Sequence, residues 1–231
     1  RTRVYAADGT KIATVFEENR KEISLEKVSP VMQDAVVAIE DSRFYEHNGF
    51  DPRGFLRAAV TNVTAGGVAQ GGSTLTMQYV KNVLLTAAKD EEEQAAAKED
   101  TITRKLREIR YAMALEKRLT KEEILERYLN ISYYGARAYG VEAASQRYFS
   151  KNAKDLELVE AATLAGIVQQ PSRFDPTRNP RQSQKRRDVV LNRMAELGYI
   201  TVEEARAAKS ADVEDYLNPK VQYNGCTTSF A

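Results

Sequence analysis

The sequence predicts a mainly α-helical protein with one small β element at its N-terminus, and three observations carry that expectation. From Ser29 onward, apolar residues recur at helical spacing in one segment after another. Helix-start chemistry precedes several of these segments, as in Ser29-Pro30 and Thr120 with Glu123. Ahead of them, residues 4–16 read VYAADGTKIATVF, two short β-compatible runs around Asp8-Gly9. With 42% hydrophobic residues among 231, the chain can bury a substantial core.

Taken in order, Asp8-Gly9 marks a hairpin turn. Ser29 as N-cap and Pro30 at the first helical position open the first helix, with Val31, Ala35, Val36 and Ile39 as its apolar stripe. A second helix begins near Arg53. Its apolar face comprises Phe55, Leu56, Ala59, Val60 and Val63, flanked by Arg53 and Arg57 and followed by Gly66, Gly67, Gly71 and Gly72. Such a segment is expected to be partly exposed and to dip into a membrane interface, its arginines reaching the headgroups.

The third helix is expected to begin at Ser73, behind AGGVAQGG, with Thr74, Gln78 and Lys81 on one polar face. Its N-terminus would present unpaired backbone N–H groups, a site suited to phosphate. GVAQGGST has the glycine spacing of a Walker A loop, but Ser73 stands where the lysine belongs, so a nucleotide P-loop is rejected. Residues 89–100, KDEEEQAAAKED, read as a solvated loop or frayed helix. Helical pattern resumes at Thr101 and again after Thr120, whose spacing to Glu123 makes a capping box ahead of Ile124, Leu125, Tyr128 and Leu129. Further helices are expected over 141–148, 156–168, 187–197 and 201–209, with 171–180, PSRFDPTRNP, as an extended crossing. The expected division is 1–28 hairpin and linker, 29–209 the main domain, and 210–231 a linker onward.

A net charge of +1 with 29% charged residues argues for neither a nucleic-acid binder nor an acidic-substrate enzyme and makes any electrostatic message local. A single cysteine, Cys226, and a single histidine, His47, exclude a disulfide framework, Cys/His zinc sites and any nucleophilic triad not built on His47. A carboxylate site for magnesium or manganese stays open. The longest apolar runs, 31–39 and 161–168, fall short of the ~20 residues of a membrane span.

Glu40 follows Val36 and Val37 by one helical turn, so desolvation would raise its pKa toward that of a working base. The alternative is that Glu40 and Asp41 simply end the helix and meet solvent or an arginine such as Arg43. His47 reads as a ring pinning its loop. Arg104 and Glu108 stand one turn apart, which suits either an exposed ion pair of about 0.3 to 0.5 kcal/mol or a functional pair. QKRRDVVLNRM, 184–194, reads as a packing helix with Val189, Val190 and Leu191 inward.

In this order, EDSRFYEHNGFD, GGSTLTMQYVKN, RKLRE, KEEILERYLN and KRRDVVL resemble the five signature blocks of the peptidoglycan glycosyltransferase domain of bifunctional penicillin-binding proteins. The resemblance runs over residues 34–191 and continues to about 205. It implies a lysozyme-like helical fold that polymerises lipid II into β-1,4-linked glycan with inversion and release of undecaprenyl pyrophosphate. By similarity Glu40 is the base that deprotonates the acceptor's 4-hydroxyl. Glu108 is the second essential glutamate, acting at the leaving pyrophosphate directly, through cations or through a metal. Lys81, Arg104 and Lys105 match phosphate-holding cations, Ser73 and Gln78 match polar contacts, and Asp41, Phe44 and Asn82 are further expected substrate contacts. No tightly bound cofactor is implied; a divalent cation, Mg or Mn, is the one candidate, with Glu108 its only suggested ligand.

Implied partners are lipid II and the growing lipid-linked glycan, the membrane surface and a C-terminal transpeptidase domain, with no nucleic acid. The implied location is the extracytoplasmic face of the bacterial cytoplasmic membrane, held by an N-terminal transmembrane helix outside this chain. There are departures. Met77 stands where many relatives have glutamine, and Lys98 takes the place of an arginine before the third block. The acidic insert 90–100 and the tail YNGCTTSFA are similar to actinobacterial members. A glycan hydrolase or lytic enzyme on the same fold, with Glu40 as general acid, and a non-catalytic lipid-pyrophosphate binder are the competing readings; a neutral glycan would have no use for the cluster of Lys81, Arg104 and Lys105.

Overall fold

Helix α1 (Pro30–Glu40) lies at the centre of the fold seen in the computed structural model, which describes residues 2–9, 11–15, 19–64, 72–88, 101–220 and 225–226. Pro30 occupies the first turn, where a missing N–H costs nothing. Ser29 sits at the N-cap position, but its hydroxyl donates to the carbonyl of Leu156 at 2.9 Å and thereby ties the helix start to a distant loop. Met32, Ala35 and Val36 are fully buried. They pack α1 against two later helices, α7 (Leu158–Ile167) and α8 (Pro180–Glu196).

Helix α7 reads LVEAATLAGI and is buried from Glu160 to Ile167, as a helix apolar on nearly all sides must be. Its small residues Ala161, Ala162, Ala165 and Gly166 bring α1 and α8 close on either side. Helix α8 covers α7 with Val190, Leu191 and Met194. It starts at Pro180, seven residues earlier than the apolar pattern indicates, because its first two turns, PRQSQKRR, carry no stripe for periodicity to detect.

A second group of helices forms the other side of the molecule: α3 (Leu75–Ala87), α4 (Ile102–Leu115) and α5 (Lys121–Ile131). The capping box at α5 is complete, with Glu123 N–H donating to the Thr120 hydroxyl at 3.2 Å and Thr120 N–H to Glu123 Oε2 at 2.8 Å. Ile124, Leu125, Tyr128 and Leu129 are fully buried beneath it. Met77, Val80 and Ala112 make a smaller core between α3 and α4. Helices α2 (Pro52–Thr64), α6 (Val141–Phe149), α9 (Val202–Lys209) and α10 (Val213–Tyr216) complete the helical set among the described residues. No helix of the described residues is long and apolar enough to cross a membrane.

The predicted hairpin forms from β1 (Thr2–Tyr5) and β2 (Lys11–Val15), paired antiparallel. It is not isolated, since β5 (Gly225–Cys226) from the segment expected to be a linker adds to β2 as a third strand. A second small ladder joins β3 (Asn19–Arg20) to β4 (Ala138–Tyr139) in parallel. Two-residue strands leave no alternation to read, so neither pairing was accessible to pattern. The 171–180 segment turns compactly where an extended crossing was expected. Asp175 is buried and accepts from the Thr177 backbone N–H at 2.9 Å and from its hydroxyl at 2.6 Å, and Phe174 is buried beside it. The acidic stretch 89–100, with Lys98, lies outside the described residues.

Candidate active site

The C-terminal end of α1, the starts of α2 and α3, one face of α4 and one face of α8 enclose a cleft of about 860 Å³. Glu40, the last residue of α1, faces into it, half-buried. Gln78 Nε2 donates to Glu40 Oε2 at 2.8 Å, and the Tyr128 hydroxyl donates to Gln78 Oε1 at 3.2 Å. Tyr128 is fully buried, so this chain fixes which end of the Gln78 amide meets the carboxylate. Burial pushes the Glu40 carboxyl above its ordinary value; the Gln78 hydrogen bond and the positive charge of Arg186 oppose that rise. Desolvation prevails, and a carboxylate raised in this way is a stronger proton acceptor than a free one.

Asp41 has a different role from its neighbour. It is buried, and its carboxylate takes His47 Nε2 at 2.9 and 3.1 Å and the backbone N–H of Leu75 at 3.0 Å. The anion position at the start of α3, where a phosphate was expected, is therefore filled by the protein's own Asp41. Thr74, not Ser73, is the N-cap: its hydroxyl accepts from Met77 N–H at 3.2 Å and donates to the Gly49 carbonyl at 2.7 Å. Gly49 has φ +84°, and a Cβ there would stand 2.6 Å from the Ala112 backbone, so glycine lets the 41–50 loop lie directly on α4. His47 pins that loop, as expected from its sequence setting.

Across the cleft, the Thr101 cap of α4 orients Arg104, Lys105 and Glu108. Arg104 and Glu108 are an ion pair, as their spacing suggests, but not an exposed one: Glu108 is only 2% accessible and Arg104 7%. Lys105 Nζ lies 4.0 Å from Glu108 Oε2 and donates to the Ser73 hydroxyl, which leaves Ser73 on the cleft wall just outside the helix. Lys81 and Asn82 of α3 line the same wall. Arg104 and Lys105 thus share the Glu108 carboxylate while Lys81 lines the same cleft, an arrangement suited to a multiply charged anion.

Not every expected contact reaches the cleft. Phe44 is fully buried in the main core with the Lys121 ammonium 4.5 Å from its ring centre, so it packs the 41–50 loop and has no surface to offer a substrate. Arg43, the alternative partner for Glu40 or Asp41, pairs instead with Asp51 at 2.7 Å and Glu46 at 2.8 Å. Val189, expected inward, is 48% exposed on the cleft wall, while Val190 and Leu191 are buried. Arg186 and Arg193, read as structural, both line the cleft, and Arg193 reaches the Ser42 hydroxyl at 3.1 Å. Their i, i+7 spacing, with Val189 between them at i+3, was the available signal, since it sets them on one face beside the Val190, Leu191 and Met194 stripe.

On α2, Phe55 and Leu56 are 45% and 65% exposed, and Phe55 lies at the cleft edge against Gly72. The side chains of Ala59, Val60 and Val63, and residues Gly66, Gly67 and Gly71, lie outside the described residues.

Known proteins are similar to this chain along most of its length. The family model described as Transglycosylase matches residues 8–195. Penicillin-binding protein 1A of Escherichia coli (strain K12) is 40% identical over 223 residues, which is 96% of this chain and 25% of that protein. Penicillin-binding protein 1F of Bacillus subtilis (strain 168) is 38% identical over 208 residues, 90% of this chain and 28% of that one. A crystal structure of penicillin-binding protein 1A from Haemophilus influenzae superposes with a TM-score of 0.51 at 25% identity, covering 94% of this chain and 21% of its own. The chain spans about a quarter of the length of the curated relatives it matches.

Proposed function

The chain belongs to the transglycosylase family, and from that premise we propose that it is a peptidoglycan glycosyltransferase that polymerises lipid II into β-1,4-linked glycan strands for bacterial cell-wall synthesis. The observation that carries the reading is the pairing, in one cleft, of a desolvated carboxylate held by Gln78 with Arg104 and Lys105 gathered at Glu108 and Lys81 on the same lining. Glu40 takes the proton from the acceptor sugar's 4-hydroxyl as that oxygen bonds to the donor's anomeric carbon. The bond from that carbon to the pyrophosphate oxygen breaks on the opposite face, and the configuration inverts.

Charge grows on the leaving pyrophosphate as this bond lengthens, and cations already in place stabilise it without reorganisation. Glu108 holds Arg104 and Lys105 in position and keeps their mutual repulsion low until the anion arrives. Ser73 and Asn82 supply polar contacts on the same wall. A protein-held magnesium or manganese ion needs several oxygen ligands. Among the described residues Glu108 faces two cations and no group of three His, Cys, Asp or Glu residues gathers, so a divalent ion at Glu108 would draw further oxygen ligands from the pyrophosphate itself.

The same reading extends to the surroundings of the cleft. The exposed Phe55 at its edge and the exposed Leu56 next to it in the chain would rest in the membrane interface while the pyrophosphate enters and the lipid tail stays in the bilayer. In the full-length protein this part would sit on the extracytoplasmic face of the cytoplasmic membrane, behind an N-terminal membrane helix and ahead of a transpeptidase domain. The decisive experiment is incubation with labelled lipid II, with and without divalent metal, followed by gel separation of the products. Long glycan strands support the proposal. Release of fragments from finished cell wall with no polymer would overturn it in favour of a hydrolase, and binding without turnover in favour of a lipid-pyrophosphate binder.

A further inference from the structure

Two adjacent arginines on α8 have opposite circumstances. Arg187 is fully buried, and its donors are engaged by Asp188, the Ala211 carbonyl and the Tyr216 hydroxyl. Arg186 lines the cleft that holds Glu40, with its guanidinium over the Phe174 ring at 5.9 Å. Its Nε is buried and has no hydrogen-bond partner. A buried donor left unpaired is costly, and such groups are kept where a partner arrives from outside.

The stem of Arg186 is seated by a gap in α7. At Gly166 a Cβ would stand 3.0 Å from Arg186 Cγ, closer than the two could comfortably pack. Gly166 lies in the buried run of α7, where alanine would be the better helix former. The missing methyl therefore has a packing reason, and that reason is Arg186.

The other groups around Glu40 leave Arg186 a distinct role. Gln78 approaches from α3; Tyr128 of α5 and Tyr134 beyond it are phenols that burial keeps neutral; Asp41, next in the chain, is held by His47. Arg193, further along α8, is engaged by Ser42 and Glu196, while Lys81, Arg104, Lys105 and Glu108 form the far wall. Among the described residues, Arg186 is the cleft-lining cation whose charge opposes the rise of the Glu40 carboxyl.

We propose that Arg186, seated in the notch that Gly166 leaves in α7, is a positioning residue for glycosyl transfer: its charge is the counter-ion of the Glu40 carboxylate, and its free Nε–H takes an oxygen of the acceptor saccharide. The proposal rests on Glu40 being the base. The guanidinium would then hold the base ready in its charged form and bring the acceptor's hydroxyl to it.

The test compares wild type with Arg186→Met, Arg186→Lys and Gly166→Ala, each checked for folding by thermal melting. Initial rates of lipid II polymerisation are recorded across pH and acceptor concentration, and the Glu40 carboxyl carbon, assigned with Glu40→Gln, is titrated by ¹³C NMR. In Arg186→Met the acidic limb of the rate profile and the NMR midpoint should both move to higher pH, lowering the rate at a fixed pH on that limb on the order of three- to tenfold. Arg186→Lys should return the limb toward its wild-type place while KM for the acceptor stays raised, because charge is restored without the Nε–H. Gly166→Ala should move the limb in the same direction by less. If the limb and the NMR midpoint of Arg186→Met coincide with wild type while glycan is made normally, the proposal is overturned and the polymerase reading stands. If the NMR midpoint moves but wild type makes no glycan at any pH, the counter-ion pairing stands and it is the polymerase reading that falls.

Discussion

Glu108→Gln separates two accounts of the Arg104–Glu108 spacing, because its cost depends on burial. As an exposed i, i+4 pair it would contribute less than about 1 kcal/mol. In the structure both side chains are more than nine-tenths buried, Oε1 is bonded to Arg104, and Oε2 stands 4.0 Å from Lys105. At that distance and an effective dielectric near 20, a unit charge pair interacts by about 4 kcal/mol. Glutamine keeps one oxygen as an acceptor, so part of this is retained, but the Glu108 charge that faces Arg104 and Lys105 is lost. Breaking a buried pair on one side costs about 3 to 5 kcal/mol in general, and about 2 to 4 kcal/mol is expected here. For a chain of this size that lowers the melting temperature by roughly 5 to 15 °C. Scanning calorimetry of Glu108→Gln, Arg104→Gln and the double variant is the assay. The double variant should recover much of the loss, and inorganic pyrophosphate should raise the melting temperature of Glu108→Gln more than that of wild type. A single variant that melts within 1 °C of wild type would refute the buried-pair argument, whatever its activity.

Glu40→Gln should abolish glycan synthesis while lipid II binding largely survives, and equal turnover would remove Glu40 from the role of base. The same variant bears on stability. The folded carboxyl is raised above its ordinary 4.5, so ionising it costs folding free energy. Below the unfolded value wild type and variant should melt alike; as pH rises through the folded value wild type should lose stability that Glu40→Gln retains, and a variant less stable at neutral pH would contradict this. Asp41→Ala removes the anchor shared by His47 and Leu75 N–H, and denaturant unfolding should show a loss of about 2 to 4 kcal/mol, whereas a substrate contact alone would leave the midpoint unchanged. Phe55→Asp with Leu56→Asp should weaken co-sedimentation with vesicles while leaving the melting temperature near wild type; equal partitioning of the two proteins would place the membrane contact elsewhere.

Local chemistry made much of this protein legible in one dimension. Pro30, the Thr120–Glu123 box and the apolar stripes of α1 and α5 act within one or two turns, so the helical class and the positions of those elements follow from short-range rules. Glu40 was legible for the same reason, since its desolvation begins with Val36 and Val37 on its own helix. The order of the five blocks carried the family, and with it the cluster of Lys81, Arg104, Lys105 and Glu108. Contacts made across the chain had no such local sign. That Asp41 and not a phosphate would fill the start of α3 depends on a loop 34 residues away. That Phe44 is core depends on the helices closing over it, and that Arg186 faces Glu40 depends on a glycine 20 residues earlier in another helix. Periodicity reports which side of a helix is apolar; it does not report what the polar side meets, because that is decided by the packing of α1, α7 and α8 around a common core.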